Sequence, residues 1–149
     1  MTNATTLRVH KQRPFTLLEY GNFECNHCGR AYPVIKEIQR LLGDDLRFVF
    51  RNFPTVRTHP HAIRAAEAVE SAAAQGKFWE MHDELFTALE DHDLSRYARR
   101  IGLDVGRFAR DMAENSFLKK IEAEYQTALF DEHVTVGVDR GSALSTCFL

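Results

Sequence analysis

The sequence lacks several features that would place it in a specialised class of protein. Its 149 residues contain no apolar run close to the roughly 20 residues that a membrane-spanning helix needs. The 19 basic and 21 acidic residues leave a formal net charge of −2, which indicates no nucleic-acid partner and no membrane partner. The first 15 residues contain no apolar signal core. This predicts a cytoplasmic protein, or a periplasmic one if a leader was removed.

Cysteine and proline are also scarce, with three and four residues respectively. Three cysteines cannot build a disulfide framework, and a chain of this length buries enough apolar surface to fold without one. No repeat of solenoid period, low-complexity tract or flexible linker interrupts the chain. We therefore expect one soluble domain, residues 1–149, whose cysteines serve chemistry rather than architecture.

The first third of the chain predicts a strand, a helix and a second strand. The strands are predicted over 15–20 and 46–53, the second of them because apolar and charged residues alternate. Between the strands, apolar residues recur at helical spacing until Gly43, which is typical of the residue after a helix end. A connection of this length suits a parallel crossover, so residues 13–56 predict a βαβ unit.

Residues 58–130 predict five consecutive amphipathic helices. Pro60 is expected as the first residue of the first helix, because proline is tolerated there. Asp93 and Asp104 are expected to cap the third and fourth helices, since a carboxylate at this position accepts a backbone N–H. The fifth helix is predicted from about Ser116. Helices of this length usually pack into a core, which predicts an all-helical domain.

Two of the three cysteines form a C-x-x-C motif, Cys25-Asn26-His27-Cys28, where the first strand passes into the first helix. Thiols at this spacing can close a small disulfide ring without unwinding the helix. The first sulfur is expected at the positive end of the helix dipole, which favours its thiolate. His27 is expected to add positive charge near neutral pH. A motif at such a junction favours redox chemistry.

Two other interpretations of this motif stay open. A structural zinc site needs four ligands, and no second pair of cysteines or histidines follows at zinc-finger spacing. Two inert, buried cysteines are the other alternative, although the start of a helix is polar and usually exposed. Redox chemistry is favoured over both.

Three segments of the sequence match a known family. They are an F-x-C-x-x-C-x-x-x-x-P pattern that ends at Pro33, the stretch FVFRNFP, and the stretch QGKFWEMHDELF. Together they resemble the DsbA-like thioredoxin-fold disulfide oxidoreductases over about residues 15–138. The resemblance implies an α/β thioredoxin-like fold with an inserted all-helical domain. It also implies the activity of a protein thiol–disulfide oxidoreductase.

The resemblance implies a role for individual residues. It makes Cys25 the attacking thiolate and Cys28 the resolving thiol. Between them, where the family usually has a proline or another residue, Asn26 is expected to contact substrate and His27 to act in catalysis through its charge. Glu19 matches a buried acidic residue that helps to move the proton of the second cysteine; a solvent-facing strand carboxylate is the alternative. Neither an organic cofactor nor a metal is implied, because the cysteines carry the redox equivalents. The implied substrates are protein or small-thiol disulfides.

The C-terminal segment, residues 131–149, departs from the family pattern. The family places a cis-proline loop beside the cysteines, whereas the matching tail reads GVDRGSALSTCFL and puts Ser145 at the proline position, in contact with substrate. One strand is predicted over 144–149, and the C-terminal hairpin and helix of the family are expected to be missing. The open sheet edge then predicts a homodimer. A damaged loop keeps a non-catalytic, thioredoxin-like binding domain open as an alternative.

Overall fold

The computed structural model describes residues 15–55, 60–88 and 92–130. Within these ranges the chain forms a strand, a helix, a second strand and then five helices, which is the order that the sequence predicts. The predicted strand at 144–149 lies outside the described residues. None of the helices in these ranges has both the length and the apolar content needed to cross a lipid bilayer.

The two strands form a parallel pair, as the predicted βαβ unit requires. Strand β1 (Phe15–Gly21) and strand β2 (Leu46–Asn52) run in register, from Phe15 opposite Leu46 to Gly21 opposite Asn52. The predicted boundaries hold to within one residue for both strands. A helical connection therefore brings the two strands side by side with their carboxyl ends at the same edge.

Helix α1 (Asn26–Leu42) makes this connection and ends where the sequence predicts. Gly43 follows it with φ 49°, a conformation that glycine adopts without a steric penalty, and donates its N–H to the carbonyl of Gln39. Pro33 lies inside α1, where its ring nitrogen has no hydrogen to donate to the preceding turn. A short 3-10 turn (Gly43–Asp45) then leads into β2.

Five helices follow β2, and two of their predicted caps are confirmed. The Asp93 carboxylate accepts the backbone N–H of Arg96, and the Asp104 carboxylate accepts that of Arg107. The helices are α2 (Ala62–Ala74), α3 (Phe78–Thr87), α4 (Leu94–Arg100), α5 (Val105–Glu114) and α6 (Leu118–Phe130).

Two predicted helix starts are wrong by about two residues. Helix α2 begins at Ala62 rather than at Pro60, because His61 has φ −95° and ψ 0° and lies outside helical geometry. Helix α6 begins at Leu118 rather than near Ser116. The reason is Asn115, which adopts the left-handed conformation (φ 50°, ψ 46°) and turns the chain before α6 can start.

Strand β1 alternates between two apolar clusters. Leu17 packs against the larger cluster, while Leu18 and Tyr20 pack in the smaller one. Because successive side chains of a strand point to opposite faces, Glu19 and Gly21 face the larger cluster. That cluster also contains both cysteines of the C-x-x-C motif. The fold therefore turns the candidate proton carrier and the cysteine pair toward the same buried region.

Candidate active site

Asn22 organises the loop between β1 and α1. Its backbone carbonyl accepts the N–H of Cys25 at 3.1 Å, and its Oδ1 accepts the N–H of Glu24 at 3.0 Å. Its Nδ2 donates to Thr55 Oγ1 at 2.8 Å, beyond the end of β2. Its own N–H points at Cys28 Sγ over 3.5 Å. The sequence analysis missed this residue, although asparagine in a short loop after a strand is a recognisable turn signal.

Cys25 occupies the N-cap position of α1. Its backbone is extended (φ −77°, ψ 124°), and its carbonyl accepts the N–H of Gly29 at 2.9 Å. No side chain caps this end of the helix. The residue therefore stands at the positive end of the α1 dipole.

Both cysteines are buried, which differs from the polar, exposed helix start that the sequence suggests. Cys25 is 1% exposed and Cys28 is 0% exposed, because this end of α1 belongs to the larger apolar cluster together with Phe23. No disulfide joins Cys25 to Cys28 in this structure. Thiol–disulfide exchange forms and breaks such a bond.

Asn26 and His27, the two residues between the cysteines, are exposed. The His27 Nδ1 lies 2.5 Å from an Arg30 guanidinium nitrogen. Arginine can only donate, so Nδ1 is the acceptor in this contact. Arg30 adds a permanent positive charge to the same turn of α1.

Glu19 is buried in β1, opposite Phe50 in the strand register, and only 1% of it is exposed. Removal of the carboxyl group from water raises its pKa from 4.5 to about 8. The carboxyl group thus holds a proton over most of the neutral range. The alternative of a solvent-facing strand carboxylate does not describe this residue.

Ser145, the predicted substrate contact in the C-terminal segment, lies outside the described residues. Glu24, His61 and His92 bring ligand-type atoms within 4.8 Å of one another, and they are the only such group in the ranges that the structure describes. Sequence analysis did not select any of these three residues.

Several solved structures are similar to this fold. The α-DsbA1 protein of Wolbachia pipientis has a TM-score of 0.70 and 21% identity, covering 89% of this chain and 71% of that one. BdbD of Bacillus subtilis, in its oxidised form, has a TM-score of 0.71 and 18% identity over 83% and 74% of the two chains. A thioredoxin-like oxidoreductase of Silicibacter pomeroyi has a TM-score of 0.64 and 25% identity over 76% and 66%. These similarities show the fold.

The curated relatives are of a different kind. A Na⁺/H⁺ antiporter of Mycolicibacterium gilvum, NhaA 1, is 46% identical over 113 residues, which is 74% of this chain and 18% of the antiporter. The antiporter NhaA 3 of Salinispora tropica is 42% identical over 127 residues, or 82% of this chain and 19% of the antiporter. The chain therefore spans about a fifth or less of the length of these curated relatives.

A family model described as thioredoxin matches residues 7–138, which is most of the chain. The match includes both strands, the C-x-x-C motif and all five helices that follow β2. Because this family model covers most of the chain, the chain belongs to the thioredoxin family.

Proposed function

We propose that this chain is a thiol–disulfide oxidoreductase that works through Cys25 and Cys28. The observation that carries the proposal is the position of Cys25 at the N-cap of α1, one helical turn before Cys28. A cysteine at a helix N-terminus is the one whose thiolate is favoured, and the thiolate is the reactive form.

The proposed reaction proceeds in two exchanges. The Cys25 thiolate attacks one sulfur of a substrate disulfide, so that a Cys25–substrate bond forms and the other substrate sulfur leaves as a thiolate. Cys28 loses its proton and attacks the Cys25 sulfur, which closes a Cys25–Cys28 bond and releases the second substrate thiolate. Two electrons pass from the cysteines to the substrate. The reverse sequence donates the disulfide.

Glu19 is the proposed carrier of the Cys28 proton. It faces the cluster that holds both cysteines, and a pKa of about 8 leaves both forms of the carboxyl group populated near neutral pH. The ionised form can take the proton when Cys28 attacks, and the protonated form can return it in the reverse direction. Its burial supports this role, because a buried thiol has few water molecules to which it can pass a proton.

The exposed Asn26 and His27 are the proposed contacts for the substrate, a protein or small-thiol disulfide. Ser145 is proposed to add a backbone contact, as the loop position it matches does in the family. Both cysteines are buried, so a protein substrate reaches Cys25 only after a local movement of the surrounding residues. No organic cofactor takes part in this scheme. Formation of a homodimer is a separate proposal.

Reduction of insulin by the full chain tests the proposal. Cys25→Ser is expected to abolish turnover, and Cys28→Ser is expected to accumulate a substrate-linked mixed disulfide that a reductant releases. Glu80→Gln, which changes an exposed carboxylate on α3, is the control and is expected to keep turnover. If Cys28→Ser turns over as the wild type does, the pair is misassigned. A folded wild-type protein with no turnover favours a binding domain instead, and a stoichiometric metal held by Cys25 and Cys28 favours the metal-binding alternative.

A second proposal concerns the setting in which the chemistry takes place. The identity to segments of Na⁺/H⁺ antiporters reaches 48%, whereas the three solved structures described above reach 25% at most. We propose that the chain acts as a redox module of a membrane cation/proton antiporter, in contrast to the sequence-based expectation of no membrane partner. The test compares sodium–proton exchange in everted vesicles from host cells carrying the wild-type chain or Cys25→Ser. If the vesicles with the wild-type chain exchange sodium for protons at the same rate under oxidising and reducing conditions, the proposal is contradicted.

A further inference from the structure

Three ligand-type side chains meet beside the loop that carries Cys25. Glu24 precedes Cys25 directly, His61 precedes α2, and His92 lies two residues before α4. One nitrogen or oxygen atom from each lies within 4.8 Å of the other two. Three separate parts of the fold therefore converge on a single point at the edge of the proposed active site.

Glu24 is held in position from two sides. Its backbone N–H is bound by Asn22, and its Oε2 accepts the backbone N–H of His61 at 3.1 Å. Its other oxygen, Oε1, lies 3.8 Å from Nδ1 of His92. The centroids of the two imidazole rings are 4.2 Å apart. The carboxylate is thus oriented by the start of α2 and still presents one oxygen toward the histidines.

A cavity of about 430 Å³ opens at this point, and all three residues line it. One basic side chain, Arg64, also lines the cavity, but its Nη1 donates to Glu67 at 3.0 Å and to the carbonyl of Met112 at 2.7 Å. The Asp93 carboxylate adds a second negative charge to the lining, while it caps α4. A cation in this cavity would therefore meet two carboxylates and an arginine whose charge is already partnered.

The ligand types define the class of ion. Two imidazoles and one carboxylate form the set that holds zinc with its fourth position open, and imidazole also suits copper, nickel and iron. Bonds of about 2.0–2.1 Å to zinc require the ligand atoms to approach to roughly 3.3 Å. The rings of His61 and His92 are exposed and can rotate to close this difference.

We propose that Glu24, His61 and His92 bind a divalent transition-metal ion of the zinc class, with the open coordination position directed into the cavity. The site is distinct from the thiolate site that Cys25 and Cys28 would form, because none of its three ligands is a cysteine. It goes beyond the proposed redox function. Since Glu24 is joined to Cys25 by a peptide bond, an ion bound there also fixes the segment that carries the proposed nucleophile.

Calorimetric titration of the chelator-treated full chain with zinc chloride tests the proposal. The protein is titrated with its cysteines oxidised, so that thiolates do not compete for the metal. One ion per chain is expected, with a dissociation constant in the micromolar range or lower. Glu24→Gln, His61→Ala and His92→Ala are each expected to weaken binding at least tenfold. Glu80→Gln, which changes an exposed carboxylate on α3, is the matched control and is expected to bind as wild type does.

Cobalt substitution gives an independent readout of the ligands. The proposed site predicts cobalt bands of nitrogen and oxygen coordination and no sulfur-to-cobalt charge-transfer band. His92→Ala is the decisive variant because its side chain is 56% exposed and lies outside the helices, so the fold survives its removal. The proposal is overturned by an absence of binding, by binding that the three substitutions do not change, or by a charge-transfer band that shows sulfur ligation.

Discussion

The backbone N–H of Asn22 points at the Sγ of Cys28 over 3.5 Å, while the side-chain amide of the same residue donates to Thr55 Oγ1 at 2.8 Å. One residue therefore joins the second cysteine of the motif to the segment that follows β2. A donor aimed at a sulfur stabilises its thiolate form, since hydrogen bonds to the charged form favour it. The same residue thus links the stability of the loop to the chemistry proposed for Cys28.

The first prediction concerns this link. We expect Asn22→Ala to lower the free energy of unfolding by about 2 kcal/mol, because it removes two side-chain hydrogen bonds and leaves the N–H of Glu24 without its acceptor. A double-mutant cycle with Thr55→Ala, measured by urea denaturation, should give a coupling energy of about 1 kcal/mol. Asn26→Ala, on the exposed side of the motif, is the control and should stay within about 0.5 kcal/mol of wild type. Additive effects at Asn22 and Thr55 would contradict the link.

The second prediction concerns Glu19 and pH. Burial raises its pKa from 4.5 to about 8, so the native protein keeps a proton that the unfolded chain releases. The resulting stability is present in full below about pH 4.5 and is lost as the pH rises through about 8. At pH 7 the loss is roughly 3 kcal/mol, because each pH unit above 4.5 costs about 1.4 kcal/mol.

We therefore expect Glu19→Gln to raise the free energy of unfolding at pH 7 by about 2 kcal/mol, somewhat less than the full loss because the amide must find its own partners. Urea denaturation between pH 4.5 and 9 should show that the free energy of unfolding falls less with rising pH for the variant than for wild type. The exposed Glu80→Gln should leave the pH dependence unchanged. In the insulin assay Glu19→Gln should also remove the rate change near pH 8. Parallel stability curves for wild type and Glu19→Gln would show that Glu19 does not titrate in this range.

Local chemistry explains which parts of the fold could be predicted from the sequence. Asp93 and Asp104 each accept an N–H three residues further on, so the whole interaction lies within one turn and is visible in the sequence. The predicted start of α2 is wrong because the backbone N–H of His61 donates to the carboxylate of Glu24. Glu24 lies in a distant part of the chain, so this contact is not visible in the local sequence. These two caps could therefore be predicted from the sequence, whereas the start of α2, which involves a long-range contact, could not.

The same distinction applies to the candidate site. The two cysteines and Glu19 lie on elements that hydrophobic periodicity predicts, so their grouping around the end of β1 could be expected. Asn22 and Thr55 are 33 residues apart, and His61 is 37 residues from Glu24, so no local pattern connects either pair. The burial of Cys25 was also missed, because it depends on side chains that the whole fold brings to the start of α1.

The third prediction assigns the charge beside the motif to Arg30. Arg30 contacts His27 on the first turns of α1, and its guanidinium is always charged. We expect Arg30→Met to slow alkylation of Cys25 at neutral pH about two- to threefold, the size typical of an exposed charge. His27→Ala should have a smaller effect at the same pH.

Salt provides the internal check of this prediction. At about 1 M salt the screening length falls to roughly 3 Å, so the difference between Arg30→Met and wild type should disappear. Arg40→Met is the matched control, since Arg40 lies on the same helix but far from the motif and pairs with Glu37. A rate difference that persists in high salt would mean that Arg30 acts through packing rather than through its charge.

The fourth prediction concerns Gly21, the last residue of β1 and the start of the loop that carries the site. A Cβ atom at this position would lie 2.2 Å from Cε2 and 2.5 Å from Cζ of Phe50, a ring that is fully buried and has no room to move. We expect Gly21→Ala to lower the free energy of unfolding by about 3 kcal/mol, at the upper end of the cost of overpacking. Gly106→Ala on α5 is the control; its Cβ meets nothing closer than 3.4 Å, so it should raise stability by about 0.5–1 kcal/mol. Adding Phe50→Leu to Gly21→Ala should recover part of the loss in urea denaturation, because the clash is with the ring. If the double variant loses more free energy of unfolding than the two single variants lose together, the clash with the Phe50 ring is not the cause.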